Sequence, residues 1–430
     1  MKLQPFLSMS ASIAVPMMLL TACSSSASVD PALPAWSKLQ IDSLRKWATS
    51  AAEDALPQFG TGQLDRALDS GDETAIRQAA LTLAEQLAKA HLRGCAGPEE
   101  RAEWFMTDDG DGANLRGRLS DALLSGETLD GFFAGMRPAH PEYAALRQAY
   151  LAETDPGRRL TIARNMERWR WMPQMLGADY VLVNVPAFEV YLWRQGAAAQ
   201  TWRAVVGKTA TPTPQLAATI TAITFNPWWD VPPSIVQAGG HFSGRRGYIT
   251  TKGGHVRQQP GPGNALGQMK VEMPNPYAIY LHDTPSKGLF GAATRAFSHG
   301  CVRVADPLSL AAHLLEGVRT RSDIDALLRV RTRDEAHGRI SRPPALPEAS
   351  GSPTVKTSTV KLRADLPVYI AYFTAAPRPD GSLGFLPDIY GRDSLIFDPA
   401  RPGKACSGAA AQPPAVPKTA TNGSQSDPGP

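Results

Sequence analysis

The chain reads as an α+β multidomain protein: an N-terminal helical scaffold domain over residues 36–172, then a mostly β domain over 177–335 that resumes at 363–398. Three observations predict this. Up to about Trp171, apolar residues recur at three- and four-residue spacing, the period of an amphipathic helix. Beyond Gly177 the runs become β-branched and aromatic and are separated by Pro, Gly and Gln clusters, as strands are. Inside that second part, Ala278 to Pro307 ends an apolar run on His282 and, after a Gly-containing loop, sets His299, Gly300, Cys301 and Arg303 in quick succession.

The 430 residues are enough to bury two cores. A hydrophobic fraction of 43% with 20% charged residues is that of a soluble globular protein. A net charge of +4 with no Lys/Arg run gives no footing for nucleic acid as a partner.

Residues 1–23 predict an export signal: Met1-Lys2 is positive, Leu3 to Leu20 is mostly apolar, and Gln4, Pro5 and Pro16 set it apart from a mature membrane helix. The segment closes on Leu20-Thr21-Ala22-Cys23, which resembles the lipobox of bacterial lipoproteins and marks Cys23 for lipidation; a plain cleavable signal is the alternative. No later stretch approaches the ~20 apolar residues that span a bilayer. The expected location is the cell envelope, on the periplasmic side, lipid-anchored in the outer membrane, with 24–35 as a polar tether. Export also sets the redox compartment. With Cys23 given to lipid and Cys301 to the reactive cluster, Cys95 and Cys406 are left either to pair or to stand as independent thiols.

Taken in order, Ile76, Ala80, Leu83, Leu87 and Ala90 line one helix face, with Ser70 and Glu73 placed like a capping box ahead of it. Leu115, Leu119 and Leu123 repeat the spacing, and Pro141 opens a helix whose inner face holds Leu146 and Tyr150. This half carries no cluster of titratable groups that suggests chemistry. Trp169 and Trp171, in NMERWRWMP, predict packing between the two parts. YVLVNVPAFEVYLW, TWRAVVGK and ATITAITFNPWW predict strands, the last stopped by Pro227 to Pro233. Ser234 to Gly263 has little periodicity and predicts an irregular lid over a cleft. Asp306 to Val330 predicts a helix opened by Asp306-Pro307, 336–362 a flexible insert, Leu366 to Tyr390 two strands joined by the PRPDG turn, and 399–430 a disordered tail.

A cysteine becomes a nucleophile when a base deprotonates it or a positive environment lowers its pKa. Cys301 has His299 two residues before it, Arg303 two after, and His282 nineteen upstream on a preceding strand. Neighbouring strands lie about 5 Å apart, which brings His282 within reach if the two segments pair. His282 is the favoured base because it approaches from a separate segment, whereas His299 is restrained by its short link to Cys301. Gly300 permits a tight turn that lets the Gly300 and Cys301 N–H groups converge on an oxyanion, and Arg303 suits a substrate carboxylate. A solitary histidine is more often a core residue, the reading for His91, His140, His313 and His337.

Tyr280-Leu281-His282-Asp283-Thr284 followed by Ser298-His299-Gly300-Cys301-Val302-Arg303 resembles the L,D-transpeptidases of the YkuD type, specifically their larger subgroup with an N-terminal helical scaffold. The likeness extends to Asn165–Pro173, Tyr180–Val185, Phe225–Pro233, Arg257–Lys270 and Pro367–Gly391, and covers most of the chain from Gln63 to Ser394. It implies a β-rich catalytic domain and a transferase of peptidoglycan biosynthesis, cell-wall organisation and cell shape. Cys301 would be the nucleophile, His282 the proton donor and acceptor, the Asp283 backbone carbonyl the group that orients the imidazole, and the Gly300 and Cys301 amides the oxyanion hole. Ser298 and His299 fill the remaining catalytic motif positions; Tyr280 and Arg303 fall on the substrate side. Stem peptides are implied as donor and acceptor in 3-3 cross-links, carbapenems as covalent inhibitors, and neither metal nor cofactor is required.

Two departures accompany the resemblance. The subgroup often carries a separate peptidoglycan-binding module, for which the short link from Tyr150 to Asn165 leaves no room, and the lid, Ser234 to Arg257, is shorter than usual. Two other readings stand beside it: a zinc peptidase using His282, His299 and Cys301, whose spacing fits no common zinc pattern, and a lipid-anchored scaffold with a vestigial site.

Overall fold

The structure, a computed structural model, describes residues 36–101, 103–106, 114–328, 356–378, 380–396 and 406. The export signal, Cys23, the tether, His337 and all of the tail except Cys406 lie outside the described residues.

Among the described residues the first part is helical throughout: α1 (Lys38–Ser50), α2 (Gly62–Ser70), α3 (Glu73–Arg93), α4 (Leu115–Ser125), α5 (Leu129–Gly135), α6 (Pro141–Ala152) and α7 (Pro156–Trp171). The expected face of α3 is buried at Ala80, Leu83, Leu87 and Ala90. Its start differs from the expectation. Ser70 ends α2, Gly71 turns the chain in the left-handed region at φ 66°, and Asp72 caps α3 by accepting from the N–H groups of Thr74 and Ala75. Aspartate two residues on reaches the orphan amides that Ser70 is too early to meet. Proline opens α6 as expected, and Leu146 and Tyr150 face inward beside Tyr143.

Helix α7 joins the two parts. Trp169 stacks between His140 and Phe373, with ring centroids 4.1 and 4.6 Å away, and Trp171 meets Trp104 edge-on. Asn165 Nδ2 donates to Thr374 Oγ1, and the Thr374 N–H returns a bond to Asn165 Oδ1, each at 2.8 Å. Arg168 pairs with Asp393 at 2.6 Å. The two tryptophans are packing residues, and one apolar cluster runs from Tyr143, Leu146 and Met166 across to Leu182 and Ala371.

The second part is mostly β. Its strands are β1 (Asp179–Asn184), β2 (Glu189–Arg194), β3 (Ala197–Gly207), β4 (Leu216–Phe225), β5 (Trp229–Asp230), β6 (Tyr248–Thr250), β7 (Val256–Gln258), β8 (Met269–Glu272), β9 (Leu281–His282), β10 (Ala296–Ser298), β11 (Val302–Val304), β12 (Ser358–Ala371), β13 (Ala375–Pro377) and β14 (Leu383–Phe385). The main sheet runs β10-β3-β11-β9-β8-β4-β12-β1-β2, and β2 also pairs with β3, so the strands close on themselves. Val183, Val190, Ile223, Val271, Leu281, Val302 and Ile370 fill its interior.

Four expectations change. The lid is not irregular: β5, β7 and β6 form a small sheet joined by a short helix, α8 (Pro233–Gln237). The side chains of Gln258 and Asn264 replace absent periodicity as its organiser, since Gln258 Nε2 donates to Arg246 O and Gly263 O while Asn264 Nδ2 donates to Pro227 O and Gln259 O. The helix after the motif is two, α9 (Pro307–Leu314) and α10 (Arg321–Leu328), broken where Gly317 takes φ 73°. The end of the expected insert is ordered, because β12 begins at Ser358 and pairs with β4 from its first residue. β13 and β14 form a hairpin separate from the long β12, closed by bonds from Arg378 N–H to Ser382 O and from Gly381 N–H to Arg378 O. Of the two options left open for Cys95 and Cys406, the structure shows the pair, a disulfide with Cα atoms 4.9 Å apart.

Candidate active site

The site is built on two short parallel strands. β11 pairs with β9 in a register that sets Val302 opposite Leu281 and Arg303 opposite His282. Side chains alternate across a strand. Leu281 and Val302 therefore point into the core, where both are fully buried, while Tyr280, His282, Cys301 and Arg303 share the other face. The segment is adjacent in space because β9 and β11 are neighbours, although the loop between them spans β10.

His282 is buried. Its Nδ1 is hydrogen-bonded to the Asp283 backbone carbonyl. A carbonyl only accepts, so Nδ1 carries the proton and Nε2 keeps its lone pair. Burial, with the positive charges of Arg303 and Lys270 beside it, lowers the pKa to about 3, so the ring is neutral at ordinary pH. The carbonyl is held in place by its own side chain: the Asp283 carboxylate accepts from the N–H groups of Gln268 and Thr284 and from Lys287 Nζ. Gly267 makes room for that carboxylate, since a Cβ there would sit 2.3 Å from Asp283 Oδ2.

Cys301 is a half-buried free thiol. Burial raises its pKa; the Tyr280 backbone N–H and phenol, Lys270 and Arg303 act against that rise. Its Sγ lies 3.8 Å from the Ala278 carbonyl. Ala278 holds a left-handed φ of 53°, uncommon for a non-glycine residue. Asn275 holds the loop there: its Nδ2 donates to Met273 O and Ile279 O at 2.7 Å, and its Oδ1 accepts from Tyr277 and Ile279 N–H.

Tyr280 ties the parts together. Its ring lies 5.5 Å from that of His282, its hydroxyl donates to Cys301 Sγ and accepts from the Trp229 indole, and Lys270 Nζ lies 4.8 Å from its ring centroid. Burial pushes the phenol pKa up, and Cys301 adds to that rise. Lys270 is itself paired with Glu272 at 2.9 Å. The substrate-side expectation for Tyr280 is thus joined by a direct contact with the thiol.

The turn before Cys301 is fixed by Ser298, whose Oγ donates to Cys301 O at 2.6 Å and accepts the Gly300 N–H at 3.1 Å. Gly300 has φ 117°, a region that disfavours any side chain, and its carbonyl accepts from Thr213 Oγ1. Of the two amides expected to line an oxyanion hole, the Gly300 N–H donates to Ser298 Oγ, whereas the Cys301 N–H has no protein acceptor among the described residues. Arg303 is half-buried and its Nε has no hydrogen-bond partner. His299 is exposed, beside exposed Phe297, and its pKa is lowered by partial burial and by Lys208 and Arg303. No group of three or more His, Cys, Asp or Glu with metal-holding geometry occurs among the described residues.

Asn275, Lys270, Trp229 and Thr213 were not singled out by sequence reading. Asn275 alone left a local signal, an Asn-Pro-Tyr turn ahead of the strand; the other three come from strands or loops distant in sequence.

Residues 178–324 match the YkuD family profile, described as an L,D-transpeptidase catalytic domain. A Haemophilus influenzae chain carrying a provisional L,D-transpeptidase name is 29% identical over 264 residues, 55% of this chain and 48% of its own length. The chain thus spans about half of that relative. Among solved structures, Mycobacterium tuberculosis L,D-transpeptidase 1 aligns at 14% identity over 45% of this chain and 61% of its own, with a TM-score of 0.21. M. tuberculosis L,D-transpeptidase 3, in complex with a faropenem-derived adduct, aligns at 14% identity over 34% and 54%, with a TM-score of 0.20.

Proposed function

We propose, from the premise that residues 178–324 form a YkuD-type L,D-transpeptidase catalytic domain, that the protein is an exported cysteine acyltransferase that makes 3-3 cross-links in peptidoglycan. The observation that carries the mechanism is the β9–β11 pairing: it puts a neutral, Nδ1-anchored imidazole and a thiol on one face of two adjacent strands.

In this reading the resting pair is thiol and imidazole rather than thiolate and imidazolium, since burial works against both charges. As Sγ attacks the carbonyl between the L-centre of diaminopimelate and the terminal D-alanine, its proton passes to His282 Nε2. The oxyanion meets the Cys301 N–H. The imidazolium then protonates the leaving nitrogen, D-alanine departs, and a thioester remains on Cys301. An amine of a second stem attacks it and loses a proton to His282, which returns it to the thiolate. The thioester keeps the energy of the broken amide, so no nucleotide is consumed. Tyr280 steadies the sulfur through its hydroxyl, and the half-buried Arg303 guanidinium suits a stem carboxylate.

Export with a lipid on Cys23 belongs to the same reading. The Cys95–Cys406 disulfide supports it, because structural disulfides persist in oxidising compartments. The test is incubation of the purified chain with tetrapeptide muropeptides and with a carbapenem. Expected are free D-alanine, new 3-3 dimers and a covalent adduct on Cys301 by intact mass. Neither dimers nor adduct would sink the reading.

A further inference from the structure

The small cap sheet carries an uneven charge. From Val231 to Val271 the sequence has five basic residues, Arg245, Arg246, Lys252, Arg257 and Lys270, and no Asp or Glu. That is more than the net +4 of the whole chain, so the remainder is close to neutral. Two of the five are neutralised from the edges of the run: Arg257 pairs with Asp230 and Lys270 with Glu272. Arg245, Arg246 and Lys252 are exposed and have no ion-pair partner among the described residues. Exposed cations elsewhere are often paired, as Lys38 is with Asp42 and Arg321 with Asp325.

We infer that Arg245, Arg246 and Lys252 form a cationic docking face for the carboxylate-bearing stem peptides of peptidoglycan. The inference rests on the peptidoglycan reading above and goes beyond it in naming where the polymer is held. The three charges are strung along a hairpin. Arg245 and Arg246 precede β6 in a tight turn closed by Gly247, and Lys252 stands in the turn between β6 and β7. Six residues separate Arg246 from Lys252, so at ~3.3 Å per residue the charges extend over up to about 20 Å. An extended chain with repeated carboxylates can follow charges spaced along such a hairpin. The same unit offers apolar surface, since Tyr248 packs edge-on to Phe242 at 5.2 Å and to Trp229 at 6.3 Å. Trp229 also bonds to Tyr280, the partner of the nucleophile, so one side chain links the cap sheet to the thiol's surroundings. A local cluster of one sign raises the concentration of an oppositely charged partner, and salt weakens the effect.

The test is co-sedimentation of the purified chain with insoluble peptidoglycan. R245Q/R246Q/K252Q should bind about tenfold more weakly, as expected for losing several charge contacts. Amidation of the polymer's carboxylates should weaken the unaltered protein to a similar degree. Unchanged melting temperature and unchanged iodoacetamide alkylation of Cys301 check that the variant is folded. Equal binding by variant and parent, or indifference to amidation, would overturn the inference. So would binding to phosphatidylglycerol vesicles as tight as to the polymer, which would make the face a lipid contact. D-alanine release is measured separately: its absence in the parent defeats the transpeptidase reading whatever the sedimentation shows.

Discussion

Two histidines of this protein share one property and differ in everything that makes a site. His91 in α3 and His282 in β9 are both buried, and in both burial is the main cause that lowers the pKa to about 3. His91 has no hydrogen-bond partner on either ring nitrogen and packs edge-on against Trp47 at 5.3 Å. His282 has one nitrogen fixed by a backbone carbonyl and the other left free beside a thiol-bearing strand. Burial makes an imidazole neutral; an anchored tautomer next to a nucleophile makes it a base. The scaffold's other buried charges follow the same contrast. Asp54 accepts from Arg137 and Arg147, and Glu167 accepts from the Cys95 and Ala96 N–H groups and from Arg170, so they are spent on structure.

The contrast is broken most completely by substitution at the proposed catalytic pair. Cys301→Ala should abolish carbapenem adduct formation by intact mass, and His282→Ala should slow acylation by about 10²–10⁴-fold. Glu167→Ala should leave acylation chemistry intact in the folded fraction but strand the buried Arg170 guanidinium, costing roughly 3–5 kcal/mol in denaturant unfolding. An unchanged midpoint would show that the scaffold network is dispensable. Tyr280→Phe removes the hydroxyl on the sulfur while keeping the ring; alkylation of Cys301 by iodoacetamide should slow several-fold near neutral pH, its profile moving to higher pH.

His91→Leu sharpens the comparison with the smallest effect. It should change acylation less than about twofold, since the residue touches no reacting atom. Its signature is in acid stability. Each buried imidazole stays neutral in the folded protein down to about pH 3, while the unfolded chain takes up a proton below the ordinary 6.5. Stability is therefore full above pH 6.5 and is lost as pH falls toward 3. His91→Leu should remove part of that loss, read as a smaller drop in unfolding midpoint between pH 7 and pH 4; an undiminished drop would show that His91 is not neutral when folded.

Much of the frame was legible in the sequence because local periodicity reports local structure. The face of α3, the proline opening of α6 and the runs that became β1 to β4 depend on residues within a few positions of each other. What misled was equally local. Ser70 resembled a cap, yet Gly71 ended one helix and Asp72 began the next. Ser234 to Gly263 lacked periodicity because its small sheet has strands of two and three residues, too short to show alternation, and is held by the buried amides of Gln258 and Asn264.

For the site, the sequence by itself determined the candidate reagents: Cys301, His282, Arg303 and the Ser298–Gly300 turn, all within one stretch of chain. It also determined the acid-free run from Val231 to Val271. Only the tertiary structure decided how those groups are placed. The β9–β11 register chose the face they share, Asn275 and Asp283 set the loop and the tautomer, the Tyr280 hydroxyl met the sulfur while Lys270 met the Tyr280 ring from β8, and Ser298 took the Gly300 N–H. The physical reason is that identity is a property of one position, whereas hydrogen-bond direction, burial and charge proximity depend on groups brought together from distant parts of the chain.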